Sequence, residues 1–254
     1  MIELEKRLKK ELLQNVQAKV VSSTAWTIPL HTIEVEYKPV KRIKMDVLMK
    51  MMLITCQKAK VTSAMQISEL LLVEQLFMED LINIMKRTQL IEIKNQVYTL
   101  TEKGIKQLND GIFEEELDVQ SQNLLYSPSH STFLQGEIKP ALDGEETLNL
   151  FRYASEEKVR FKWAEDVLVD ALQANGMEKV DGDLQTVVSE IVSNTELYVD
   201  DVPCFEFILY NPSEDLLYAR VWNTFLDQWD ETLENELNEK ERVIWREKFL
   251  NVGT

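Results

Sequence analysis

The spacing of the hydrophobic residues changes between residues 61 and 104, and this stretch constrains the fold more than any other. Ser63 and Gln66 form a capping-box start, SAMQ, which predicts a short helix. A second helix is predicted from about Glu74 to Thr88, because apolar side chains recur there at helical spacing. The buried stripe predicted for this second helix consists of Phe77, Leu81, Ile84 and Met85. Two helices joined by a very short turn are therefore expected.

The same stretch ends in a predicted β-hairpin. Residues 90–94, LIEIK, and 97–100, VYTL, have the composition of strands, and Asn95-Gln96 supplies the turn. Thr101 then caps a further helix that stops near Gly111. A helix before the motif is predicted to bury one face, formed by Ile43, Val47, Met51 and Ile54. The order helix, helix, hairpin, helix, closed by LTEKG, resembles the winged helix-turn-helix domains of many bacterial transcription regulators over residues 42–110, and it implies that fold.

The rest of the chain predicts a second, acidic part. Residues 2–20 are expected to form an amphipathic helix, and a strand from Trp26 to Tyr37 is expected to end at Pro39. The second half predicts a helix from Ser155, strands at 196–199, 204–210 and 216–221, and a long closing helix. That closing helix is predicted from the spacing of Trp222, Leu226, Trp229, Leu233 and Leu237. Residues 184–192 fit a helix or a strand.

The predicted fold class is thus α+β, with an N-terminal winged helix-turn-helix domain followed by an acidic α+β domain with a long C-terminal helix. The domains are expected at 1–40 (helix and strand extension), 41–111 (winged helix), 112–150 (linker and irregular lead-in) and 151–254 (acidic α+β domain). Turn-forming residues without a clear period between 120 and 144 are the basis for the linker.

The charge of the chain is divided unevenly. Residues 1–110 hold 17 basic and 13 acidic side chains, a balance of +4, whereas residues 111–254 hold 11 and 31, a balance of −20. The first part tolerates a polyanion and the second repels one. No stretch is long and apolar enough for a membrane span, and the start of the chain alternates charges, so a cytoplasmic protein is expected.

Candidate catalytic groups are few. Two histidines, two cysteines and seven glycines offer no metal-ligand spacing, no nucleophile elbow and no phosphate-binding loop. A Ser127–His130 pair fits a polar loop better than a catalytic site, and Asp200, Asp201 and Glu206 fit a solvated surface better than a metal site. We therefore expect no enzyme, no metal and no cofactor.

Two functions remain open from the sequence. The first is a non-catalytic accessory or adaptor subunit of a DNA-associated multiprotein complex, similar in outline to acidic winged-helix subunits of chromosome-organising and bacterial defence machines. The second is a winged-helix transcription regulator whose C-terminal domain senses a ligand or forms a dimer. Protein partners are expected, DNA is a further candidate through the N-terminal half, a homodimer is a third option, and no membrane contact is expected.

The charge of the second motif helix decides between these functions. A helix that reads DNA meets a polyanion, yet Glu74, Glu79 and Asp80 lie near its N-terminal half, and no basic side chain precedes Lys86. This favours the accessory subunit. The residues expected to contact DNA or a partner are Lys41, Arg42, Lys44, Gln75, Glu79, Asn83, Lys86 and Lys94.

Overall fold

The computed structural model describes residues 2–14, 18–138, 148–154, 163–177, 180–181 and 184–250. The chain forms two compact units, each assembled from separate segments. The first unit consists of Met1–Glu34, Asn123–Trp163 and Thr195–Thr254, and the second of Val35–Gln122 and Ala164–Asn194. Neither unit is a continuous stretch of sequence.

The described residues form helices and strands with the following bounds. The helices are α1 Ile2–Leu12, α2 Val47–Lys58, α3 Ala64–Leu71, α4 Gln75–Arg87, α5 Glu102–Asp110, α6 Glu165–Ala174 and α7 Glu231–Leu250. The strands are β1 Lys19–Lys44, β2 Ile91–Lys94, β3 Val97–Leu100, β4 Ile112–Glu116, β5 Gln120–Ser127, β6 Thr132–Leu134, β7 Val180–Asp181, β8 Leu184–Asn211, β9 Leu216–Asn223 and β10 Gln228–Trp229.

The strands form one large sheet and one separate hairpin. The large sheet has the order β10-β9-β8-β1-β5-β6, with β4 also paired to β1 and β7 to β8. Strands β8 and β9 are antiparallel from the pair Cys204 and Asn223 to the pair Asn211 and Leu216. The separate hairpin joins β2 to β3. Strands β1 and β8, 26 and 28 residues long, contribute residues to both units.

The core of the first unit explains the continuous apolar run in β8. Phe205, Phe207 and Leu209 pack with Leu8 of α1, whereas Cys204 and Ile208 lie in a second cluster. That second cluster also contains residues of β1, β9 and α7: Trp26, Ile28, Leu30, Leu217, Ala219, Val221, Leu233, Leu237 and Trp245. Because successive strand residues face opposite sides of a sheet, a strand covered on both faces has no polar alternation.

The second unit contains a compact group of helices and a hairpin that we call the helix–hairpin module, residues 46–111. Its core is formed by Met49, Met52, Leu53, Cys56, Ile67, Met78, Ile82, Met85, Leu90 and Ile91, joined by Met45, Val61 and Leu108. Gly104 lets α5 approach the hairpin, since a Cβ there would lie 2.1 Å from the carbonyl oxygen of Leu90. Burial of methionines from α2 and α4 accounts for the Met-rich sequence.

Several local predictions for this module are confirmed. The Ser63 hydroxyl accepts a hydrogen bond from the Gln66 N–H, and the Thr101 hydroxyl accepts one from the Gly104 N–H. The hairpin turn at Asn95-Gln96 has positive φ at both positions, as a two-residue hairpin turn requires. Gly111 ends α5 in the left-handed conformation. These signals act over four residues or fewer.

The predicted fold class is wrong. The chain is a mixed α/β protein dominated by a large antiparallel sheet, not an N-terminal winged helix-turn-helix domain followed by an acidic α+β domain with a long C-terminal helix. The sheet pairs β1 with β8, β5 and β4, which are far away in the sequence. Local hydrophobic periodicity carries no information about pairing between strands that are distant in the sequence. A prediction based on it therefore gives domains that follow one another along the chain.

The predicted boundary at Pro39 is also wrong. Strand β1 continues through Pro39 to Lys44, and the Pro39 carbonyl accepts a hydrogen bond from the Leu117 N–H. The helix predicted to include Ile43 begins only at Val47, where the Asp46 carboxylate caps it by accepting from two backbone N–H groups. Asp46 has the non-helical backbone of a cap residue, with φ −59° and ψ 146°, so the chain stays extended up to the start of α2.

The buried faces of α2 and α4 differ from those predicted. Helix α2 buries Met49, Met52, Leu53 and Cys56 in place of Val47, Met51 and Ile54. Helix α4 buries Met78, Ile82 and Met85, while Phe77 and Ile84 are exposed. Both helices carry more apolar residues than one face can hold, so more than one face has apolar residues at helical spacing. Contact with the neighbouring elements decides which of these faces is buried.

Three predictions for the remaining chain are corrected. The stretch predicted as linker contains β5 and β6, and the closing helix begins at Glu231, because Trp222 and Trp229 lie in the paired strands β9 and β10. Helix α1 ends at Leu12, and residues 15–17 lie outside the described part of the chain. The predicted helix start at Ser155 also lies outside the described residues, and α6 begins at Glu165.

Candidate binding surface of the helix–hairpin module

All the residues predicted to contact DNA or a partner lie in the second unit. Strand β1 carries Lys41, Arg42 and Lys44, helix α4 carries Gln75, Glu79, Asn83 and Lys86, and β2 ends at Lys94. Lys41 is half-buried and the others are exposed. The structure thus places four of them on one helix, three at the end of one strand and one at the end of the hairpin strand β2.

Two of the predicted cations are neutralised within the protein. Arg42 Nε lies 2.8 Å from Glu114 Oε1, and Lys94 Nζ lies 2.6 Å from Glu92 Oε1. The remaining members of the acidic run on β4 also hold cations: Arg87 is 3.0 Å from Glu115 and Lys103 is 2.8 Å from Glu116. A carboxylate beside each cation weakens its attraction for a phosphate group.

The acidic run on β4 is therefore part of the module's charge balance. The hydrogen bond and charge of Lys103 lower the pKa of the Glu116 carboxyl below its usual range, against a smaller opposing effect of burial. Two shallow cavities of about 260 and 490 Å³ border these ion pairs and are lined by side chains of both signs. Mixed charge at such a surface gives no preference for a polyanion.

The polar side chains on α4 are partly engaged with each other. Gln75 Nε2 donates a hydrogen bond of 2.8 Å to Glu79 Oε1, and Lys86 Nζ lies 5.8 Å from the centre of the Tyr98 ring. A glutamine amide can bond adenine in the major groove, but the Gln75 amide donor binds a carboxylate of the same helix. The N-terminal half of α4 consequently presents negative charge and an occupied amide.

Large apolar side chains, among them Phe77 of the predicted buried stripe, are exposed beside these carboxylates. We call this region the α3–α4 surface and define it by Leu70, Leu72, Leu76 and Phe77, which are 60%, 91%, 65% and 52% exposed. It includes the turn between the two helices. In the sequence, the run Leu70-Leu71-Leu72 across a helix end indicates exposed apolar side chains, because three consecutive leucines cannot all face one core.

Leu72 has an unusual backbone conformation. It ends α3 in the left-handed region with φ +55° and ψ +43°, and its N–H bonds to the Ser68 carbonyl. Glycine or asparagine is the ordinary residue at such a helix end, because a Cβ costs about 1 kcal/mol there. An exposed leucine at this position is stabilised by nothing that its side chain contacts within the module.

Four carboxylates border the α3–α4 surface: Glu69, Glu74, Glu79 and Asp80. Residues 64–85 contain no lysine or arginine. Glu79 and Asp80 follow Leu76 and Phe77 by one helical turn, and such neighbours lie side by side on a helix. Within the part of the chain that the structure describes, none of the four carboxylates forms an ion pair.

The first unit contains a Ser–His–Asp arrangement that the sequence suggested only in part. Ser127 Oγ lies 2.7 Å from His130 Nδ1, and His130 Nε2 lies 2.9 Å from Asp230 Oδ2. The side chain of Ser127 is fully buried, so a substrate has no access to its hydroxyl. Asp230 also accepts hydrogen bonds from the Leu233 N–H and from Asn223, and it caps α7. The arrangement therefore links the β5–β6 turn to the start of α7.

The acidic residues considered for a metal are not grouped for that purpose. Glu206 is buried and accepts hydrogen bonds from Trp26 at 2.7 Å and from Arg152 at 2.7 and 3.1 Å. Among the described residues no three His, Cys, Asp or Glu side chains form a metal-binding group. Sequence reasoning missed Arg152, whose position in the chain gave no sign of its partners.

Comparison with known proteins gives no family. No protein-family model matches the chain, and neither a curated protein nor a solved structure is significantly similar to it. Within the described ranges, no helix is long and apolar enough to cross a membrane.

Proposed function

We propose that this protein is a non-catalytic binding protein that acts as an accessory or adaptor subunit by holding a partner protein on its α3–α4 surface. The observation that carries the proposal is Leu72, which is 91% exposed in a left-handed conformation at the tip of this surface. Strained backbone at an exposed apolar residue is a feature of ligand-binding sites. A cytoplasmic location and a DNA-associated assembly belong to the same proposal.

The chemistry of the surface defines the partner. Four large apolar side chains on both sides of the α3–α4 turn need an apolar counterpart, because removing apolar surface from water is the main favourable contribution to most protein association. The carboxylates around them favour lysine or arginine at the edge of the partner. An amphipathic helix with an apolar face and basic edges satisfies both requirements.

The same charges disfavour DNA as the main ligand of α4. Glu74, Glu79 and Asp80 would face a duplex that carries about one negative charge per 1.7 Å. Arg42 and Lys94, which would have to bind phosphates, are held by Glu114 and Glu92. The surface that remains is apolar and acidic, which supports a protein partner.

The test compares two peptides and one substitution. The probes are a helical Leu–Lys peptide with leucines on one face and a Leu–Glu peptide of the same pattern, each measured by fluorescence anisotropy. We expect the Leu–Lys peptide to bind, the Leu–Glu peptide to bind at least about tenfold more weakly, and Leu72→Asn to weaken Leu–Lys binding by a similar factor. Val243→Gln removes an exposed apolar side chain of α7 and serves as the matched control.

A DNA titration tests the alternative function, a transcription regulator. Random duplex and duplex from the protein's own promoter region are titrated at increasing salt, and we expect weak binding without sequence preference. Tight, sequence-selective binding that Lys94→Ala weakens and Glu79→Lys strengthens would identify a transcription regulator and overturn the adaptor proposal. Equal binding of both peptides, unaffected by Leu72→Asn, would overturn the assignment of the surface.

A further inference from the structure

A second exposed apolar stripe lies on α2. Val47, Met51 and Ile54 are 76%, 45% and 36% exposed, on the side opposite the buried Met49, Met52 and Leu53. We call these three residues the α2 stripe. Their spacing of four and three places them on one face of the helix. The stripe is therefore a continuous apolar strip that the module's own core does not cover.

The charge next to the α2 stripe is positive. Lys50 and Lys58 are exposed and lie one turn from members of the stripe, and α2 itself contains no acidic residue. Asp46, which precedes Val47, uses its carboxylate to cap the first turn of α2, so the two lysines outnumber it. In the part of the chain that the structure describes, neither lysine forms an ion pair, in contrast to Arg42, Arg87 and Lys103. An apolar helix face with free basic edges is the partner chemistry that the α3–α4 surface requires.

We propose that the α2 stripe of one copy of this chain docks on the α3–α4 surface of a second copy. The inference rests on the proposed function, because it names the occupant of the same surface. Apolar side chains would meet apolar side chains, and Lys50 and Lys58 would approach Glu69, Glu74, Glu79 and Asp80. Complementary potentials of this kind fix the partner and the register of an interface.

The contact joins two different surfaces of the chain. If both contacts form reciprocally about a two-fold axis, two copies close into an isologous dimer. Otherwise the contact is heterologous, and it gives a ring where the rotation closes and an open filament where it does not. The net charge of −16 opposes general association between copies. Self-association is therefore expected only where local charges are complementary, and it is expected to weaken with salt.

The test exchanges the charges of the two surfaces. One variant carries Lys50→Glu and Lys58→Glu, and the other carries Glu69→Lys and Asp80→Lys. Sedimentation velocity at low salt is expected to show concentration-dependent association of the wild type, with the dissociation constant raised at least about tenfold in each variant alone. Mixing the two variants should restore association, because the unchanged α2 stripe of the second variant then meets the unchanged α3–α4 surface of the first, and the acidic α2 stripe of the first meets a surface whose two lysines offset Glu74 and Glu79.

Matched controls separate this local effect from net charge. Lys106→Glu with Arg242→Glu lowers the net charge by the same amount as the first variant, and Glu239→Lys with Glu247→Lys raises it like the second, at exposed positions outside both surfaces. Neither control should change the dissociation constant by more than about twofold. Met51→Gln, which keeps a good helix former, tests the apolar contribution independently, and thermal unfolding verifies that each variant is folded.

The outcomes distinguish the two proposals. A wild-type protein that stays monomeric while it binds the Leu–Lys peptide overturns the self-association and leaves the adaptor function standing. A monomeric protein that binds neither peptide overturns both. Association that survives both charge reversals, or that mixing does not restore, overturns the docking of the α2 stripe.

Discussion

Arg152 and Glu206 form a two-pronged ion pair, with Nη1 to Oε2 at 2.7 Å and Nη2 to Oε1 at 3.1 Å. Glu206 is buried on β8 and also accepts a hydrogen bond from Trp26, and Arg152 further contacts Glu241 on α7. One guanidinium therefore compensates two carboxylates that would otherwise be costly in the interior of the first unit. Its hydrogen bonds with Glu206 and Glu241 outweigh burial and raise the pKa of Arg152.

Removal of this guanidinium should destabilise the protein. Arg152→Ala leaves Glu206 buried with Trp26 as its remaining donor, and breaking a buried pair from one side typically costs about 3–5 kcal/mol. The Arg152 side chain is 37% exposed, so we expect about 3 kcal/mol, measured as the free energy of unfolding in urea. Arg246→Ala, which removes an exposed partner of Asp215, is the control and should change stability little. Equal effects of the two substitutions would contradict the assigned role.

Acid should weaken the first unit through Asp230. Burial raises the pKa of this carboxyl, hydrogen bonds from His130 and Asn223 lower it, and the net result is a lowered pKa in the folded state. A lowered folded pKa contributes stability above the unfolded value, about 3.9, and this stability is lost as the pH falls through the folded pKa.

The variant Asp230→Asn isolates this effect. The free energy of unfolding is measured for the wild type and the variant at several pH values from neutral down to about 3. The advantage of the wild type should shrink as the pH falls below about 4, because the protonated wild-type group then resembles the amide. An advantage independent of pH over this range would show that the Asp230 charge makes no contribution.

Gly104 should not tolerate a side chain. A Cβ at this position would lie 2.1 Å from the Leu90 carbonyl oxygen, which belongs to the backbone and cannot rotate away. Gly104→Ala is expected to destabilise the module by about 1–3 kcal/mol, the usual cost of overpacking, in chemical denaturation. The control is Gly111→Asn, at a left-handed helix end where a Cβ meets nothing within 4 Å and asparagine is tolerated. A neutral Gly104→Ala would contradict the close packing of α5 on the hairpin.

The sequence predicts the parts of this fold whose signals are local. Ser63, Thr101 and Gly111 act on backbone groups a few residues away, and the hairpin depends on two turn residues. Arg42 and Glu114, which pair across β1 and β4, are 72 residues apart in the sequence, and the hydrophobic period of either strand gives no indication of this pairing. The acidic run 114–116 consequently lies in a strand whose three carboxylates each pair with a cation, a role that was not predicted from the sequence.

The candidate surface was harder to predict than the helices that carry it. Helical spacing predicts that Phe77, Val47 and Met51 lie in the core, but their side chains are exposed. Helices α2 and α4 carry enough apolar residues for a core face and a second, outer face. The period alone therefore does not decide which apolar face of such a helix is buried. The excess apolar residues are the feature of the sequence that agrees with the proposed binding surface.

Replacement of Leu72 should stabilise the fold and weaken binding. Its left-handed backbone costs a leucine about 1 kcal/mol, whereas asparagine adopts this conformation more readily. Because the side chain is 91% exposed, its removal loses little packing within the module. We therefore expect Leu72→Asn to raise the free energy of unfolding by a few tenths to about 1 kcal/mol while it weakens peptide binding and self-association. Leu53→Asn, at a fully buried position, is the contrasting variant and should unfold the module. A Leu72→Asn protein that is less stable than the wild type would mean that Leu72 is part of the module's packing, and the strain would then have no connection with binding.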